Sequence, residues 1–480
     1  MKNERILDAL EMVDAELIEE AAPGNKPPKK KRRTFLRVAV AAALVIAIGV
    51  NIMSAPARSA AKTIAVASER RWMEVPEFDA YEDQEEWHAA MAVLDAERTL
   101  RNAAVAEAKA GLRSFYEDGN RQFLQTYQNE NKLWSPINAY IGLAMAAEVA
   151  EGETRQQILE LFHVEDLDML RKQVSATWEK TYMDNSNEIC VPANSLWLEN
   201  DLKYNREAMD ALAYYYYASV YQGDLGSDEL NKEIATWINN NTGNFLEDST
   251  KKIALAPETV VALYSTLYFQ SKWMDEFSKS QTTEGVFHTP DGDVQVEYMN
   301  KKLNQMYYYW GSNFSAVNLS LKNGSRMWFI LPDEGMTVDD VLDDGTYMDM
   351  VLDANRFDEW ENCKYMKVNL SVPKFDVAST QDLSDGLKDM GATDVFTEHV
   401  AEFEKLTSMS PIYLSGANQS VRVQIDEEGV KAAAYIELPG EGAAIPPEEI
   451  IDFVLDRPFL FVIENDNIPL FAGCVNSPQS

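Results

Sequence analysis

The sequence predicts an α+β fold with large mixed or antiparallel sheets. Segments with helical spacing come first in the main region, and they are RQFLQTYQ (121–128), INAYIGLAMAAEVA (137–150) and ETRQQILELF (153–162). Oily or alternating runs typical of strands follow, namely VVALYSTLYFQSKW (260–273), SRMWFILP (325–332), YMKVNLSVPKFDV (365–377) and SVRVQID (420–426). Because strands and helices do not alternate regularly, an α+β arrangement is favoured over a parallel α/β sheet.

A basic block precedes an uncharged apolar run near the N-terminus. PPKKKRRTFLR (27–37) leads into VAVAAALVIAIGVNIM (38–53), which holds no charge. This order predicts a cytoplasmic segment over residues 1–34, a transmembrane or signal-anchor segment over 35–54, and a body outside the cytoplasm. The small residues at 55–57 also suit a signal peptidase. The body is therefore either held at the cell membrane by a single pass or secreted after cleavage.

Residues 55–111 have a composition of their own. Acidic DAYEDQEEW (79–87) gives way to AERTLRNAAVAEAKAGL (96–112), which is charged, rich in alanine and helical in pattern. This stretch predicts an extracytoplasmic helical stalk or an added pair of N-terminal helices. The main domain is expected over residues 112–480, because no linker rich in Pro, Gly or Ser divides it.

The charge of the chain limits its partners. The sequence holds 43 Lys and Arg against 78 Asp and Glu, a formal net charge of −35, and most of the excess lies beyond the basic N-terminal block. A polyanion of this kind is repelled by phosphate backbones. Nucleic acid is therefore not expected as a partner.

Motifs for metal binding or catalysis are missing from the sequence. Cys190, Cys363 and Cys474 are odd in number and far apart, which predicts single thiols and no disulfide framework. None of the four histidines belongs to HExxH or to an i, i+4 pair. One SxxK, from Ser249 to Lys252, lacks the companion motifs of a serine hydrolase. We expect no metal, no cofactor and no enzyme of a conventional class.

The stretch EEGVKAAAYIEL (427–438) has two interpretations. Its alanines favour a short helix. Taken as a strand, it has one wholly apolar face, formed by every second residue from Val430 to Leu438, and that face is small at its leading end. Such a strand suits entry between two existing neighbours. More than twenty residues separate Gly429 from the last oily strands, and a loop of that length is usually functional.

A series of stretches resembles the serpin family over the chain from Leu112 to Ser480. In family order they are WSPINAYIGLAMAAEVAEGETRQQILELF (134–162), STLYFQSKWMDEF (265–277), VPKFDV (372–377), MGATDVF (390–396), EEGVKAAA (427–434), RPFLFVI (457–463) and PLFAGCVNSP (469–478). Each is a weak signal alone. Together, in one order, they form a specific signal.

The resemblance implies a serpin-like domain with many helices, three β-sheets and an exposed reactive centre loop, in a bacterial member that is monomeric and either membrane-anchored or secreted. It also implies a suicide inhibitor of serine proteases. The target cleaves the loop, forms an acyl-enzyme and is trapped when the loop inserts into the central sheet.

The resemblance assigns roles to three groups of residues. The loop hinge comprises Glu427, Glu428, Gly429, Val430, Lys431, Ala432, Ala433 and Ala434. The region where the sheet opens comprises Trp273, Ser135, Asn138, Ser265 and Gln419. Family spacing puts the scissile bond after Ala443 or Ala444. Because either residue is alanine, proteases of elastase-like or subtilisin-like specificity are the expected partners.

Several residues depart from the family pattern. Val430 stands where Thr or Ser is usual, and Tyr435 and Ile436 are bulkier than is common there. Asn138, Ser265 and Gln419 occupy positions usually held by Ser, Asn and His, although all three side chains still form hydrogen bonds. These departures keep open an alternative, a non-inhibitory surface binding module with the serpin fold.

Overall fold

The computed structural model describes residues 59–71, 75–81, 83–125, 130–185, 188–256, 258–353, 361–430 and 449–479. The predicted cytoplasmic segment 1–34 and transmembrane segment 35–54 lie outside these ranges. Within the described ranges, no helix is both long and apolar enough to cross a membrane. The described residues from Ala60 onward belong to one unit.

Eleven α-helices lie within the described residues. They are α1 (Gln84–Gly111), α2 (Arg113–Leu124), α3 (Pro136–Val149), α4 (Gly152–Leu161), α5 (Leu167–Thr181), α6 (Arg206–Tyr215), α7 (Asp228–Asn241), α8 (Glu247–Thr250), α9 (Val338–Asp344), α10 (Thr346–Leu352) and α11 (Ser384–Asp389). Asp83, Asp166, Asn205 and Ser227 accept backbone N–H groups at the starts of α1, α5, α6 and α7. These caps explain where the four helices begin, because the first N–H groups of a helix lack intrahelical acceptors.

Seventeen strands complete the described structure. They are β1 (Ala61–Ala65), β2 (Lys132–Trp134), β3 (Met183–Asp184), β4 (Ile189–Glu199), β5 (Ala218–Gly223), β6 (Val261–Lys272), β7 (Thr283–Thr289), β8 (Gly292–Trp310), β9 (Phe314–Ser320), β10 (Ser325–Pro332), β11 (Cys363–Pro373), β12 (Phe375–Asp382), β13 (Asn418–Ile425), β14 (Gly429–Val430), β15 (Ile450–Val454), β16 (Phe459–Asn465) and β17 (Ile468–Val475).

The largest sheet holds the centre of the core. Its order is β15-β11-β8-β9-β10-β16-β17-β2, with β7 beside β8. Nearly every residue of β10, β16 and β17 is buried, which explains why these strands read as continuous apolar runs without alternation. The alanine-rich helix α3, with Pro136 in its first turn, packs against β17. The predicted α+β fold with many helices and three sheets is confirmed.

The central sheet is divided into two parts. Strands β1, β5, β4, β6 and β14 are neighbours in that order, with β3 beside β4, whereas β12 and β13 form a two-stranded sheet. Strands β4 and β6 pair from Ile189 to Leu198, but β14 pairs with β6 only through Gly429 and Val430. The chain that follows β13 therefore joins β6 through the short strand β14, at one end of the two strands. Along the rest of β6 and β13, no ladder joins the two strands in the described part of the chain.

The stretch predicted as a stalk differs from that expectation. Residues Ala61–Ala65 are a strand that pairs antiparallel with β5, and α1 packs on α5. Ile64 and Ala65 are buried beside β5, and α1 buries Leu94, Val105 and Ala108 along one stripe. The described residues from Ala60 onward therefore share one compact unit with the domain expected from residue 112. A five-residue strand without alternation is too short to be recognised in the sequence.

A buried carboxylate fixes this N-terminal extension, residues 59–111, to the rest of the domain. The side chain of Glu179 on α5 is 3% exposed and forms ion pairs with Arg71, at 2.8 Å, and with Arg101. Tyr217 donates its hydroxyl hydrogen to the same carboxylate, and its ring stacks on Trp178 with centroids 3.7 Å apart. At the start of the extension, Glu233 on α7 accepts hydrogen bonds from the backbone N–H groups of Ala60 and Ala61.

Candidate functional site

A slot separates β6 from β13 in the central sheet. A cavity of about 440 Å³ lies between these strands, and its lining runs from Tyr264 to Phe269 on one side and from Asn418 to Gln424 on the other. A second cavity, of about 270 Å³, extends the slot to Val261, the first residue of β6. Because the two strands are not paired here, the slot has the shape and the polar walls that an additional strand requires.

Two buried polar atoms in the slot have no hydrogen-bond partner among the described residues. They are Oδ1 of Asn138, on α3, and Oγ of Ser265, on β6, and both residues line the two cavities. A buried polar atom without a partner is unfavourable by about 1–3 kcal/mol. These atoms are therefore available to a group that enters the slot.

Gln419 and Ser135 close the polar cluster at this end of the slot. The Gln419 side chain accepts from the backbone N–H of Ser135 at 2.8 Å and donates to its carbonyl at 3.0 Å. The Ser135 hydroxyl donates to the carbonyl of Leu470 at 2.7 Å. The structure thus brings together Ser135, Asn138, Ser265 and Gln419, four of the five residues assigned above to the region where the sheet opens. The amide of Gln419 joins β13 to the start of α3.

The other end of the slot is closed by the loop hinge. Trp273 follows β6, is almost fully buried, and donates its indole N–H to the carbonyl of Asp426 at 2.8 Å. Its backbone N–H donates to the carbonyl of Glu428. A Cβ atom at Gly429 would lie 2.5 Å from the Cα atom of Lys272, so only glycine fits this contact. Trp273 therefore lies at the hinge end, away from the polar cluster.

The two acidic residues of the hinge are held by cations. Glu427 is buried and accepts from Thr282 at 2.7 Å and from Lys374 at 2.7 Å. Burial raises the pKa of Glu427, but the hydrogen bonds from Lys374 and Thr282 outweigh burial, so the pKa lies below its usual value. Glu428 is more exposed, and its hydrogen bond from Lys279, at 2.8 Å, lowers its pKa as well.

The outer face of the slot is covered by the segment around α7 and α8. Arg422 on β13 forms a two-point ion pair with Asp376 on β12, at 2.8 and 2.7 Å. The same guanidinium lies 4.5 Å from the ring centroid of Phe245 and donates to the Phe245 carbonyl at 3.3 Å. Arg422 therefore attaches the covering segment to the strand that forms one wall of the slot.

Both ends of the reactive centre loop are held by contacts with the rest of the domain. Lys431, Ala432, Ala433, Ala434, Ala443 and Ala444 lie outside the described residues. At the N-terminal end, Val430 is buried and paired with Ser271. At the C-terminal end, Glu449 forms an ion pair with Lys364 at 2.6 Å, and β15 then pairs parallel with β11.

Comparison with known proteins identifies the family. A family model described as "Serpin (serine protease inhibitor)" matches residues 113–478, about three quarters of the chain. The chain belongs to the serpin family. The matched region begins after α1, so the whole N-terminal extension lies outside it.

Individual serpins support the assignment. Plasminogen activator inhibitor 1 of Sus scrofa is 28% identical over 375 residues, which cover 75% of this chain and 89% of that protein. The crystal structure of the thermophilic serpin tengpin in its native state superposes with a TM-score of 0.67 at 26% identity, covering 76% of this chain and 93% of tengpin. A complex of thyroxine-binding globulin with thyroxine has a TM-score of 0.62 at 21% identity, covering 79% and 100% of the two chains, which shows a shared fold alone.

Several site residues of this serpin were missed by sequence reasoning. Lys374 lies within the quoted VPKFDV motif, but nothing in the sequence links it to Glu427, which is 53 positions away. Thr282 and Lys279 lie in an unremarkable turn after the Trp273 motif. Arg422 carries a weak signal, since it is a charge inside an alternating apolar strand. No group of three or more His, Cys, Asp or Glu side chains suited to a metal occurs in the described ranges.

Proposed function

We propose that this serpin inhibits serine proteases by offering its reactive centre loop as a substrate and then inserting that loop into the central sheet. The supporting observation is the slot between β6 and β13, where no ladder within the described residues joins the two strands except through β14 at the hinge. Val430 is the last described residue before the loop, and it already pairs with Ser271 of β6 at the hinge end of the slot.

The chemistry begins as ordinary peptide cleavage. The protease serine attacks the carbonyl carbon of Ala443, the bond to the nitrogen of Ala444 breaks, and the amine leaves with a proton from the protease histidine. An ester then joins the protease to Ala443. Cleavage after Ala444 follows the same steps one residue later. The new chain end at the ester is free to move with the loop.

Insertion supplies the free energy that distorts the protease. About a dozen newly paired residues, at about 0.5–1.5 kcal/mol per net hydrogen bond together with side-chain burial, amount to roughly 10–20 kcal/mol. The inserted strand also brings polar groups to Asn138 and Ser265 in the slot. Displacing the ester from the oxyanion site by even 1 Å slows its hydrolysis severely, so the acyl-enzyme persists.

The proposed targets follow from the residues at the scissile bond. Alanine presents a single methyl group, which fits a small apolar pocket, whereas a trypsin-like pocket requires Arg or Lys. Proteases of elastase-like or subtilisin-like specificity are therefore the proposed partners of the monomeric serpin.

The proposal includes a location outside a bacterial cytoplasmic membrane. Its support is the basic block at 27–37 followed by the uncharged run at 38–53. A single-pass anchor predicts that the full-length protein stays in the membrane pellet after a carbonate wash. A shorter chain in the medium would show instead that the segment is a cleaved signal.

One observation favours the alternative of a non-inhibitory binding module. Val430, which is already buried and paired with β6, is apolar where Thr or Ser is usual, and the bulky Tyr and Ile follow at 435–436. Large side chains slow the opening of a packed sheet. Without fast insertion, the protease hydrolyses the ester and leaves a cleaved serpin.

Incubation with pancreatic elastase or subtilisin separates the two functions. Inhibition predicts a covalent complex that survives SDS, and mass spectrometry of the released peptide identifies the scissile bond. Ala432→Arg places a charge on the inserting face, so this variant is expected to be cleaved without forming a complex. Lys431→Arg is the matched control, because it keeps the charge of its position on the opposite face. Cleavage of the parent protein without any complex would support the binding module.

A further inference from the structure

An apolar patch lies on the outer face of the sheet beside the C-terminal end of the loop. It consists of Tyr307 on β8, Tyr365 on β11 and Ile450 on β15, with 39%, 41% and 60% of their surfaces exposed. We call these three residues the sheet patch. The two tyrosine rings have centroids 5.0 Å apart.

Strand register places the three residues on one face. Tyr365 is directly opposite Tyr307, and Lys367 is directly opposite Ile450. The β8 partner strand is irregular opposite Met366 and Val368, but on β11 both of these residues are buried whereas Tyr365 and Lys367 are not, so the latter two side chains lie on the outer face. The hydroxyl of Tyr365 donates to Gln305 at 3.1 Å, which orients its ring on the surface. The three residues therefore lie on one face of three neighbouring strands.

The sheet patch is attached to the point where the loop returns to the sheet. The backbone N–H of Lys367 donates to the carbonyl of Glu449 at 3.0 Å, and Lys364 holds the Glu449 carboxylate. Ala444 precedes Ile450 by six residues. Six residues span at most about 21 Å, so the scissile bond lies within that distance of the sheet patch before cleavage.

A protease bound at the loop extends over this distance. A globular protein of about 230 residues has a radius of gyration of about 17 Å, so its body covers surface well beyond its own active site. Exposed tyrosines next to an aliphatic side chain are typical of residues that contribute most of the affinity in protein interfaces.

We propose that the sheet patch is a second contact surface for the serine protease that cleaves the loop. This inference rests on the proposed function. The tyrosine rings and Ile450 pack against an apolar area beside the protease's active-site cleft and hold the enzyme on the C-terminal side of the scissile bond. The rate at which the loop is cleaved then depends on residues outside the loop.

The test compares second-order rates of loop cleavage by elastase and subtilisin, counting covalent complex and cleaved serpin together. We expect Tyr307→Ala/Tyr365→Ala to lower the rate at least tenfold for the protease that makes the contact, and Ile450→Ala to lower it about threefold. The control is Val93→Ala/Leu100→Ala on α1, which removes side chains that are 51% and 54% exposed and leaves the rate within twofold. Melting temperatures show whether each variant is folded.

Each result of this test decides the proposal. Rates that stay within twofold for a folded double variant with both enzymes would overturn it, even if covalent complexes form. Cleavage without a complex would reject inhibition, yet the same rates would still test the sheet patch. If neither enzyme cleaves the loop, the sheet patch has no occupant of the proposed class and the proposal fails. It also fails if the parent sediments as a dimer and the double variant as a monomer, since a second copy then covers the surface.

Discussion

Glu427 and Gln419 close opposite ends of the slot by different interactions. Glu427 is ionised and buried, and it depends on Lys374 and Thr282 for its partners. Gln419 is neutral and forms a reciprocal pair of hydrogen bonds with the backbone of Ser135. The interactions at the hinge end therefore depend on pH, whereas the hydrogen bonds of Gln419 at the opposite end do not.

Replacing Glu427 tests the charge at the hinge. Glu427→Gln keeps the shape of the side chain but leaves Lys374 with only the longer ion pair to Glu297, at 3.4 Å, among the described residues, and we expect a loss of about 1–2 kcal/mol in the free energy of unfolding, measured by urea denaturation. The control is Glu428→Gln, whose ion pair with Lys279 is exposed, and its effect should stay below about 0.5 kcal/mol. Equal effects of the two variants would contradict the role given to Glu427.

The same substitution predicts a dependence on pH. Because the pKa of Glu427 is lower in the folded protein than in the unfolded chain, its contribution is complete above the unfolded value and is lost as the pH falls through the folded value. The difference in unfolding free energy between the parent and Glu427→Gln should therefore shrink as the pH is lowered from 6 towards 3. A difference that grows over this range would contradict the assigned ion pair.

At the residue scale, the sequence identified the right types of side chain but not all of their partners. Trp273 and Ser135 lie in stretches that resemble the family, whereas Gln419 lies outside the quoted stretches and was assigned only by its position in the family pattern. The pairing of Glu427 with Lys374 could not, because it depends on how two segments meet in space. The orphaned atoms of Asn138 and Ser265 depend on the width of the slot, which no local pattern encodes.

At the scale of elements, strands with strong local signals were predicted well. The run at 325–332 matches β10, and the run at 260–273 matches β6 within one residue at each end. The run at 365–377 proved to be two strands, β11 and β12, which belong to different sheets and are separated at Lys374. The strand β1 was missed, because AKTIA is only five residues long and its apolar residues do not alternate with polar ones.

The N-terminal extension offers a test at this scale. Glu179→Gln removes the charge that holds Arg71 and Arg101, which are partly exposed, and we expect unfolding to become easier by about 2 kcal/mol. We also expect faster trypsin cleavage after Arg70 or Arg71, followed by mass spectrometry. Glu97→Gln is the control, since its pair with Arg101 lies on an exposed helix surface. Unchanged cleavage in Glu179→Gln would contradict the anchoring role.

At the scale of the whole molecule, the fold class and the family followed from the order of the stretches along the chain. The packing of the N-terminal extension did not, because its strand β1 pairs with a segment about 160 residues away. The slot was not predictable from any one stretch either. It exists because β14 pairs with β6 while β13, which precedes it by a few residues, does not.

The proposed inhibitory function requires that the intact molecule hold free energy that loop insertion releases. The most direct measurement is calorimetry of the intact protein and of the protein cleaved in its loop. A release of roughly 10–20 kcal/mol, at about 2.1 cal/mol/K of unfolding entropy per residue for a domain of about 420 residues, predicts a melting temperature about 10–20 °C higher after cleavage. A cleaved protein that melts at or below the temperature of the intact one would contradict the account.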